Sequence, residues 1–283
     1  MFKMKKTISI ILTVHNKAFL IKKVVEGILG NASEDTKEFI AIFDGCSDES
    51  ERIFDQTVQG YEGGITIYKQ HTPDIWETKA NNVGLEMATC DFSCIVQDDM
   101  IIQENRFDQR LRRPVDLFSD CFAVSGRAAH NNILKREKLV ITDLIGRENL
   151  TGEGRVMRKI KQMMAIHNDA RDVFGIRDVV NRGPLLLDNE KTSKLGHFDE
   201  AFAPLDMDDH DLCYRAYQEF GWRCGSYTIR YQSDLEWSGK MASPASRKVF
   251  NEAYQKNQKI LIDRHYALIT GRKHNENRRV VQD

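Results

Sequence analysis

No part of the 283-residue sequence offers the roughly 18 consecutive apolar residues that a membrane-spanning helix needs. That argues against a helical integral membrane protein. The only signal-like segment is the start, where Lys3, Lys5 and Lys6 precede the apolar run Ile8 to Val14. The run is short, is broken by Ser9 and Thr13, and has no small-residue cleavage site after it, so it reads as a buried first strand and not as a secretory signal. No CxxC pair occurs among the six cysteines, Cys46, Cys90, Cys94, Cys121, Cys213 and Cys224. Scattered through apolar or mixed contexts, they read as reduced, mostly buried thiols with no metal or redox role, in a reducing compartment. A charge excess is missing too: 41 basic side chains face 42 acidic ones, for a net charge of −1. Without a global basic field, nucleic acid is not an expected partner. Internal repeats and low-complexity tracts are also absent.

The composition that remains, 41% hydrophobic and 29% charged, is that of a soluble globular chain. At this length about three-quarters of the unfolded surface can be buried, enough for one substantial core. The spacing predicts strands at Thr7 to Val14, Phe39 to Phe43, Ile65 to Tyr68 and Phe92 to Val96. Between them it predicts helices at Lys17 to Leu29, with Gly30 as the C-terminal cap, Glu49 to Gln59 and Lys79 to Met87. Strand and helix thus alternate, which implies an α/β fold with parallel strands and helices on both faces. Ligands of such sheets bind outside the carboxyl ends of the strands. Thr13 to Asn16, Asp44 to Asp48 and Gln97 to Asp99 each lie just past such an end.

Regularity falls beyond that point. Arg127 to Arg182 holds twelve Lys or Arg against seven Asp or Glu. Its middle, Gly146 to Gly154, reads as a loop, and Arg155 to His167 has some helical periodicity. Leu185 to Leu187 reads as a short strand and Asp206 to Glu219 as an amphipathic helix. Ser243 to Ile269 reads as a long polar helix, with Phe250, Tyr254, Ile260, Leu261 and Tyr266 as docking contacts, and the charged last dozen residues are expected to fray.

Two acidic clusters could carry chemistry. Asp98 and Asp99 repel each other and are best relieved by a divalent cation or a donor-rich ligand, although an acidic turn capping a strand has the same composition. Asp206, Asp208, Asp209 and Asp211 open a helix with no Lys or Arg among them. Capping uses one or two carboxylates; four also suit a general base whose neighbours raise its pKa. Asp44 to Asp48 suits a base or ribose contact or an ordinary Asx-turn. Lys79 to Gly84 opens a helix with donors, as a diphosphate neighbour or a plain helix start. Trp76 is a donor-pocket or surface-loop residue, Trp237 a stacking or core residue. Arg182 suits a donor phosphate, an anionic acceptor or a structural role.

Taken in order, these segments resemble the inverting family 2 glycosyltransferases of GT-A fold, over about Thr7 to Gly225. Ser9 to Lys17 is similar to that family's first strand and turn, Phe43 to Asp48 to its acidic turn after the second, and Asn82-Val83-Gly84-Leu85 to its N-x-G helix. Cys90 to Asp99 resembles the stretch ending in the metal-binding DxD motif. Gly196 to Glu200 and Asp208 to Arg215 resemble its acceptor-half segments. The resemblance implies a Rossmann-like, mostly parallel sheet, with a nucleotide-sugar-binding half over residues 1–100 and an acceptor half over 101–240. Residues 241–283 would form a C-terminal helical extension. Thr13, His15 and Asp44 would contact the nucleoside, Gln97 and Asp98 the ribose or sugar, and Lys79 and Asn82 the donor's phosphate side. Asp99 would bind Mn2+ or Mg2+. Asp209 would be the general base, supported by Asp208 and Asp211, with Arg215 orienting them.

Three positions depart from the family pattern. Gln97 replaces the first Asp of DxD, which would weaken metal binding, and Asn81 replaces a common Arg whose charge Lys79 would supply; the late His is missing near Ser233 to Gly239, where either Asp234 or Glu236 substitutes or metal dependence is altered. The expected partners are a nucleotide-sugar donor and a glycan or glycoconjugate acceptor, in the building of a surface glycan or a related polysaccharide. The expected location is cytoplasmic, with peripheral membrane contact open because of the basic excess and a homodimer open because of the long final helix. The competing readings are a nucleotidylyltransferase, a glycosidase, and a catalytically silent glycan-binding or scaffolding relative.

Overall fold

A computed structural model describes residues 6–146, 166–167, 173–239, 242–271 and 277–280. β1 (Ile8–Val14), α1 (Ile21–Asn31), β2 (Thr36–Asp44), α2 (Ser50–Val58), β3 (Thr66–Thr72), α3 (Trp76–Met87) and β4 (Phe92–Gln97) alternate as the sequence predicts. β5 (Met100–Ile102), α4 (Phe107–Leu117), β6 (Cys121–Ser125), β7 (Ala128–Lys135) and β8 (Lys138–Gly146) follow. After β9 (Ile166–His167) come β10 (Val173–Arg177), β11 (Val179–Val180), β12 (Leu185–Asp188), α5 (Asn189–Lys194) and α6 (Asp208–Phe220). β13 (Arg223–Ser226), β14 (Tyr231–Ser233), α7 (Pro244–Gly271) and β15 (Asn277–Val280) complete the described chain.

Among the described residues the main sheet has nine strands in the order β15-β10-β13-β6-β12-β4-β1-β2-β3. The strand β1, rich in β-branched residues, lies between β2 and β4, parallel to both, and successive residues bury on opposite faces. Ile10 and Leu12 join one core with Val24, Phe39 and Phe54, while Ile11 joins another with Ile40, Leu85 and Leu212. A strand covered on both faces is mostly apolar, with its buried Ser9 hydroxyl satisfied by Glu38, which is why its sequence shows no alternation. β3 is the edge strand, and its polar residues stand mostly in solvent.

Register fixes where the strands end. Thr13 pairs with Ile42 and Gln97, and Asp44 closes β2 one step beyond the Val14–Phe43 pair. β12 then enters antiparallel to β4, with Leu185 opposite Ile95, so the chain just before it arrives at the edge where β4 finishes. The ends of β1, β2 and β4 and the start of β12 therefore share one edge.

Several boundaries differ from expectation. α1 begins at Ile21 and not Lys17, because Asn16 takes φ 48° and residues 17–20 form a turn. Gly30 lies inside that helix, and the extended Ala32 ends it. α3 begins at Trp76, three residues before Lys79. β2 starts at Thr36 and β3 runs on to Thr72. The loop expected at Gly146 to Gly154 and the helix expected at Arg155 to His167 fall almost wholly outside the described residues. Within the last dozen residues, Asn277 to Val280 pair antiparallel with β10 as an edge strand instead of fraying. α7 matches its expected range and buries Leu261 and Ile269 in the core, leaving Tyr254 and Tyr266 exposed. The six cysteines form no disulfide, and four of them are buried. No described helix is long and apolar enough to cross a membrane.

Gly84 is where α3 meets the sheet: a Cβ there would stand 2.4 Å from Ile11 Cγ2. Gly84→Ala is expected to destabilise the fold by about 1–3 kcal/mol through overpacking, against the roughly 1 kcal/mol that alanine gains in a helix. Urea unfolding of the two proteins measures the difference, and equal midpoints would refute the close contact.

Candidate active site

The shared edge opens into a cleft of about 500 Å³. From the N-terminal half, Thr13, His15, Asp44, Trp76, Gln97, Asp98 and Asp99 line it. Arg182, Asp206 and Asp209 line the opposite side, and Asp234, Ser246 and Phe250 add the late part of the chain.

His15 is fixed in one tautomer. Its Nδ1 lies 2.6 Å from the Asp44 carbonyl, which can only accept, so Nδ1 carries the proton. Nε2 then accepts from the Asn16 amide at 3.2 Å. The His15 peptide N–H donates to Asp98 Oδ2 at 3.0 Å, tying the end of β1 to the turn after β4. Asp44 accepts from the Thr72 hydroxyl and from the Ile75 and Trp76 peptide N–H groups, at 2.7–2.8 Å. Its carboxylate thus shapes the turn that carries Trp76, with one lone-pair direction left over. His15, Asp44 and Asp74 bring ligand-type atoms within 4.8 Å of one another. The hydrogen bonds just described already occupy His15 and most of Asp44, so this trio reads as a braced turn and not as a metal centre.

The Gln97-Asp98-Asp99 triplet divides its labour. Gln97 Nε2 donates to Glu77 Oε1 at 2.9 Å. Asp98 accepts from the His15 N–H and lies 3.4 Å from the buried Lys17 Nζ, which also donates to the Trp237 carbonyl. Burial pushes the Asp98 carboxyl up to about 6, against the pull of Lys17 and with a further push from Asp99. Asp99 alone has no hydrogen bond or ion pair among the described residues. A hard cation takes few protein oxygens and completes its shell with phosphate and water, so Asp99 fits as the protein ligand of such an ion.

Across the cleft, α6 begins at Asp208. Asp209 accepts from the Arg182 peptide N–H at 3.0 Å and from the His210 peptide N–H at 2.9 Å. Burial pushes its carboxyl up to about 6, with Arg182 opposing and Asp208 adding to the push. Burial likewise raises Asp206 to about 6 and holds the His210 imidazole down at about 4.

Of the residues nominated from sequence, seven meet in the cleft with Asp209 among them, and Trp76 joins them there. Four do not line it. Asn82 exchanges hydrogen bonds with the Phe198 backbone at 2.9 and 3.1 Å, pinning α3 to the second half. Lys79 stands 3.6 Å from Glu200. Asp208 is fully buried against Arg182. Asp211 faces away toward His265 and Arg215, whose bonds and charge outweigh burial and hold its carboxyl below the ordinary range. Arg215 also holds the Leu195 and His197 carbonyls. The Arg182 guanidinium is committed to protein carboxylates instead of an open phosphate site. Trp237 packs against the core. Sequence reasoning missed Lys17, Glu77, Arg127 and Asn181. Only Lys17 carried a signal, its place at the end of the first-strand turn.

The profile of glycosyl transferase family 2 matches residues 9–180. The chain belongs to that family. No curated protein matches the sequence. Among solved structures it is similar to GalNAc-T7 with UDP, GalNAc and Mn2+ (TM-score 0.60, 10% identity, covering 89% of this chain and 48% of that one). It is also similar to the mannosyltransferase PcManGT from Pyrobaculum calidifontis with GDP-Man and Mn2+ (TM-score 0.57, 14% identity, 93% and 70%). A third is S. aureus TarS 1-349 with UDP (TM-score 0.55, 12% identity, 91% and 66%). The chain thus spans from about half to seven-tenths of the length of these proteins. At such identities the likeness is one of fold, and the fold is GT-A.

The raised Asp206 carboxyl has a measurable cost. A carboxyl with a higher pKa in the folded state makes that state bind more protons between pH 4 and 6, so stability falls as pH rises through this window. Asp206→Asn removes the charge and is expected to stabilise the protein by on the order of 2 kcal/mol at pH 7.5. The gain should shrink as pH falls from 6 and disappear only below pH 4, where Asp206 is protonated in the unfolded chain as well. Thermal melts of both proteins across pH 4–8 test it, and a gain independent of pH would contradict the burial argument.

Proposed function

We propose that this chain is an inverting glycosyltransferase that moves a sugar from a nucleoside-diphosphate donor to a glycan or glycoconjugate hydroxyl. The observation that carries the reading is a single cleft in which a carboxylate with a pKa of about 6 faces an unpartnered one. Asp209 is one and Asp99 the other. The relatives of similar fold were solved with UDP, or with GDP-Man and Mn2+, which supports a nucleotide sugar as donor.

In this reading the nucleoside sits by Thr13, His15 and Asp44, with Trp76 over it, and Asp98 meets the ribose or sugar. Asp99 holds a divalent cation, which when bound neutralises charge on the departing diphosphate. Asp209 Oδ takes the proton of the acceptor hydroxyl as that oxygen bonds to the anomeric carbon. The bond from this carbon to the phosphate oxygen breaks on the opposite face, and its electron pair leaves with the nucleoside diphosphate. One such displacement inverts the anomeric centre. A pKa of about 6 suits a general base, because Asp209 is then ionised at neutral pH yet more basic than an ordinary carboxylate. His210, held neutral, adds no positive charge that would lower it.

Asp209→Asn is expected to abolish transfer and donor hydrolysis, by about 10²–10⁴-fold as for loss of a general base, with nucleoside diphosphate still bound. Wild-type turnover should fall below pH 6 as Asp209 protonates. Calorimetry with UDP and GDP, alongside donor hydrolysis, checks both; wild-type turnover in Asp209→Asn would remove the base assignment. Asp99→Ala should weaken nucleotide binding only when Mn2+ is present. Equal wild-type affinity with and without Mn2+ would remove the metal role.

A further inference from the structure

Arg182 is the buried cation on which the two walls of the cleft converge. Nη1 lies 2.5 Å from Asp208 Oδ2, on the base side, and Nη2 lies 3.5 Å from Glu77 Oε2, on the donor side. The guanidinium carbon stands 5.4 Å from the centre of the Phe198 ring, so packing as well as charge holds the group in place. The same residue's peptide N–H donates to Asp209 Oδ2. Arg182 therefore touches the base through its backbone and the base's neighbour through its side chain. Glu77 is itself steadied by Gln97.

We propose that Arg182 is a positioning residue for Asp209 and that Glu77 governs its strength. One buried positive charge is shared between the walls, and the share left to Asp208 and Asp209 sets how readily Asp209 ionises. This deepens the reading of Asp209 as the base and rests on it for its catalytic meaning.

The charge balance supports the assignment. Asp209 faces Asp208, Asp206, His210 and Cys213 from its own segment and helix and Arg182 from the loop before β12; Glu77 acts from α3 through Arg182. His210 is held neutral and the Cys213 thiol is pushed well up by burial, so neither is charged at neutral pH. Burial works against charge on Arg182, but the three carboxylates beside it more than compensate and keep it cationic. It is thus the one cation set directly against Asp208 and Asp209 among these groups. Neutralising Glu77 releases the guanidinium toward the base side and favours ionised Asp209. Neutralising Arg182 leaves Asp208 and Asp209 to repel and favours protonated Asp209. A purely structural bridge would make the two variants behave alike.

The test reads the Asp209 carboxyl directly, by 13C NMR titration of protein labelled at Asp, with Asp209→Asn identifying its resonance. The expected result is an inflection near pH 6 in the wild type, lower in Glu77→Gln and higher in Arg182→Gln. An unmoved inflection in Glu77→Gln, or shifts of the same sign in both variants, would overturn the proposal. Glu77 stands on the cleft wall, so its variant carries the test even where Arg182→Gln does not fold. Hydrolysis of UDP-glucose, UDP-N-acetylglucosamine and GDP-mannose against pH separates the two claims. An NMR shift with a turnover limb that stays put would remove Asp209 as base and leave the electrostatic linkage standing. A dead Asp209→Asn with unmoved inflections would do the reverse.

Discussion

β12 runs antiparallel between β4 and β6, and this reversal makes one cleft out of two halves. The parallel strands before it all end at one edge, as crossover connections require. A further parallel strand would have carried its preceding loop to the opposite edge. Entering in reverse, β12 instead delivers Asn181 and Arg182 beside Gln97. The approach is close: Gly183 takes φ 77°, and a Cβ there would stand 2.2 Å from Gln97 Oε1, so that side chain would have to shift. From there Arg182 reaches forward to α3 and back to α6, and both halves of the site take their relative position from it.

The arrangement is costly in isolation. Four carboxylates, from Glu77, Asp206, Asp208 and Asp209, surround a single buried cation. Two of them, Asp206 and Asp209, hold their protons up to about pH 6. Removing charge from water is repaid only where partners are well placed, and here Asp208 has the best of the partner. Asp209 is left with backbone N–H groups and an uncompensated share of burial. That imbalance destabilises the fold near neutrality and makes Asp209 a stronger base than a solvated aspartate. Stability is given up at the position proposed as the general base, and perturbed groups in clefts commonly mark functional sites.

The first half of the fold was legible because it obeys local rules. β1, β2 and β4 each carry a short apolar run, and the helices between them are long enough to show their period, so the edge carrying Thr13, Asp44 and Asp98 follows from connectivity. The helix bearing Asp209 was legible from its acidic start. Arg182 was visible as a residue, but its role was not. Nothing in the spacing tells that β12 runs antiparallel, and without that direction the arginine cannot be set beside Glu77 or Asp208. Asn82 and Asp211 show the opposite error. Each sits in a motif-like segment, yet each is used to dock one element on another, which composition cannot distinguish from ligand binding. Boundaries slipped where a positive φ intervened, as at Asn16, or where a glycine read as a cap stayed helical, as at Gly30.

The long C-terminal helix completes the same logic from the far side. Read from sequence as an extension, α7 lines the cleft at its start and braces the elements behind it further on. Ser246 and Phe250 line the cleft. One to two turns further on, the buried Asn257 amide donates to the Phe202, Leu205 and Asp206 carbonyls at 2.6–2.9 Å, holding the turn that leads into α6. Two turns later His265 binds Asp211 at 2.9 Å and stacks on Tyr214, where the helix departs from ideal geometry at φ −115°. Asp206 at φ 78° and Met207 at φ 64° are strained conformations for these residues, and such strain persists only where surrounding contacts over-determine it. α7 supplies those contacts. The start of α6, and with it the direction of the Asp209 carboxylate, is therefore fixed from behind by Asn257 and His265 and from the front by Arg182.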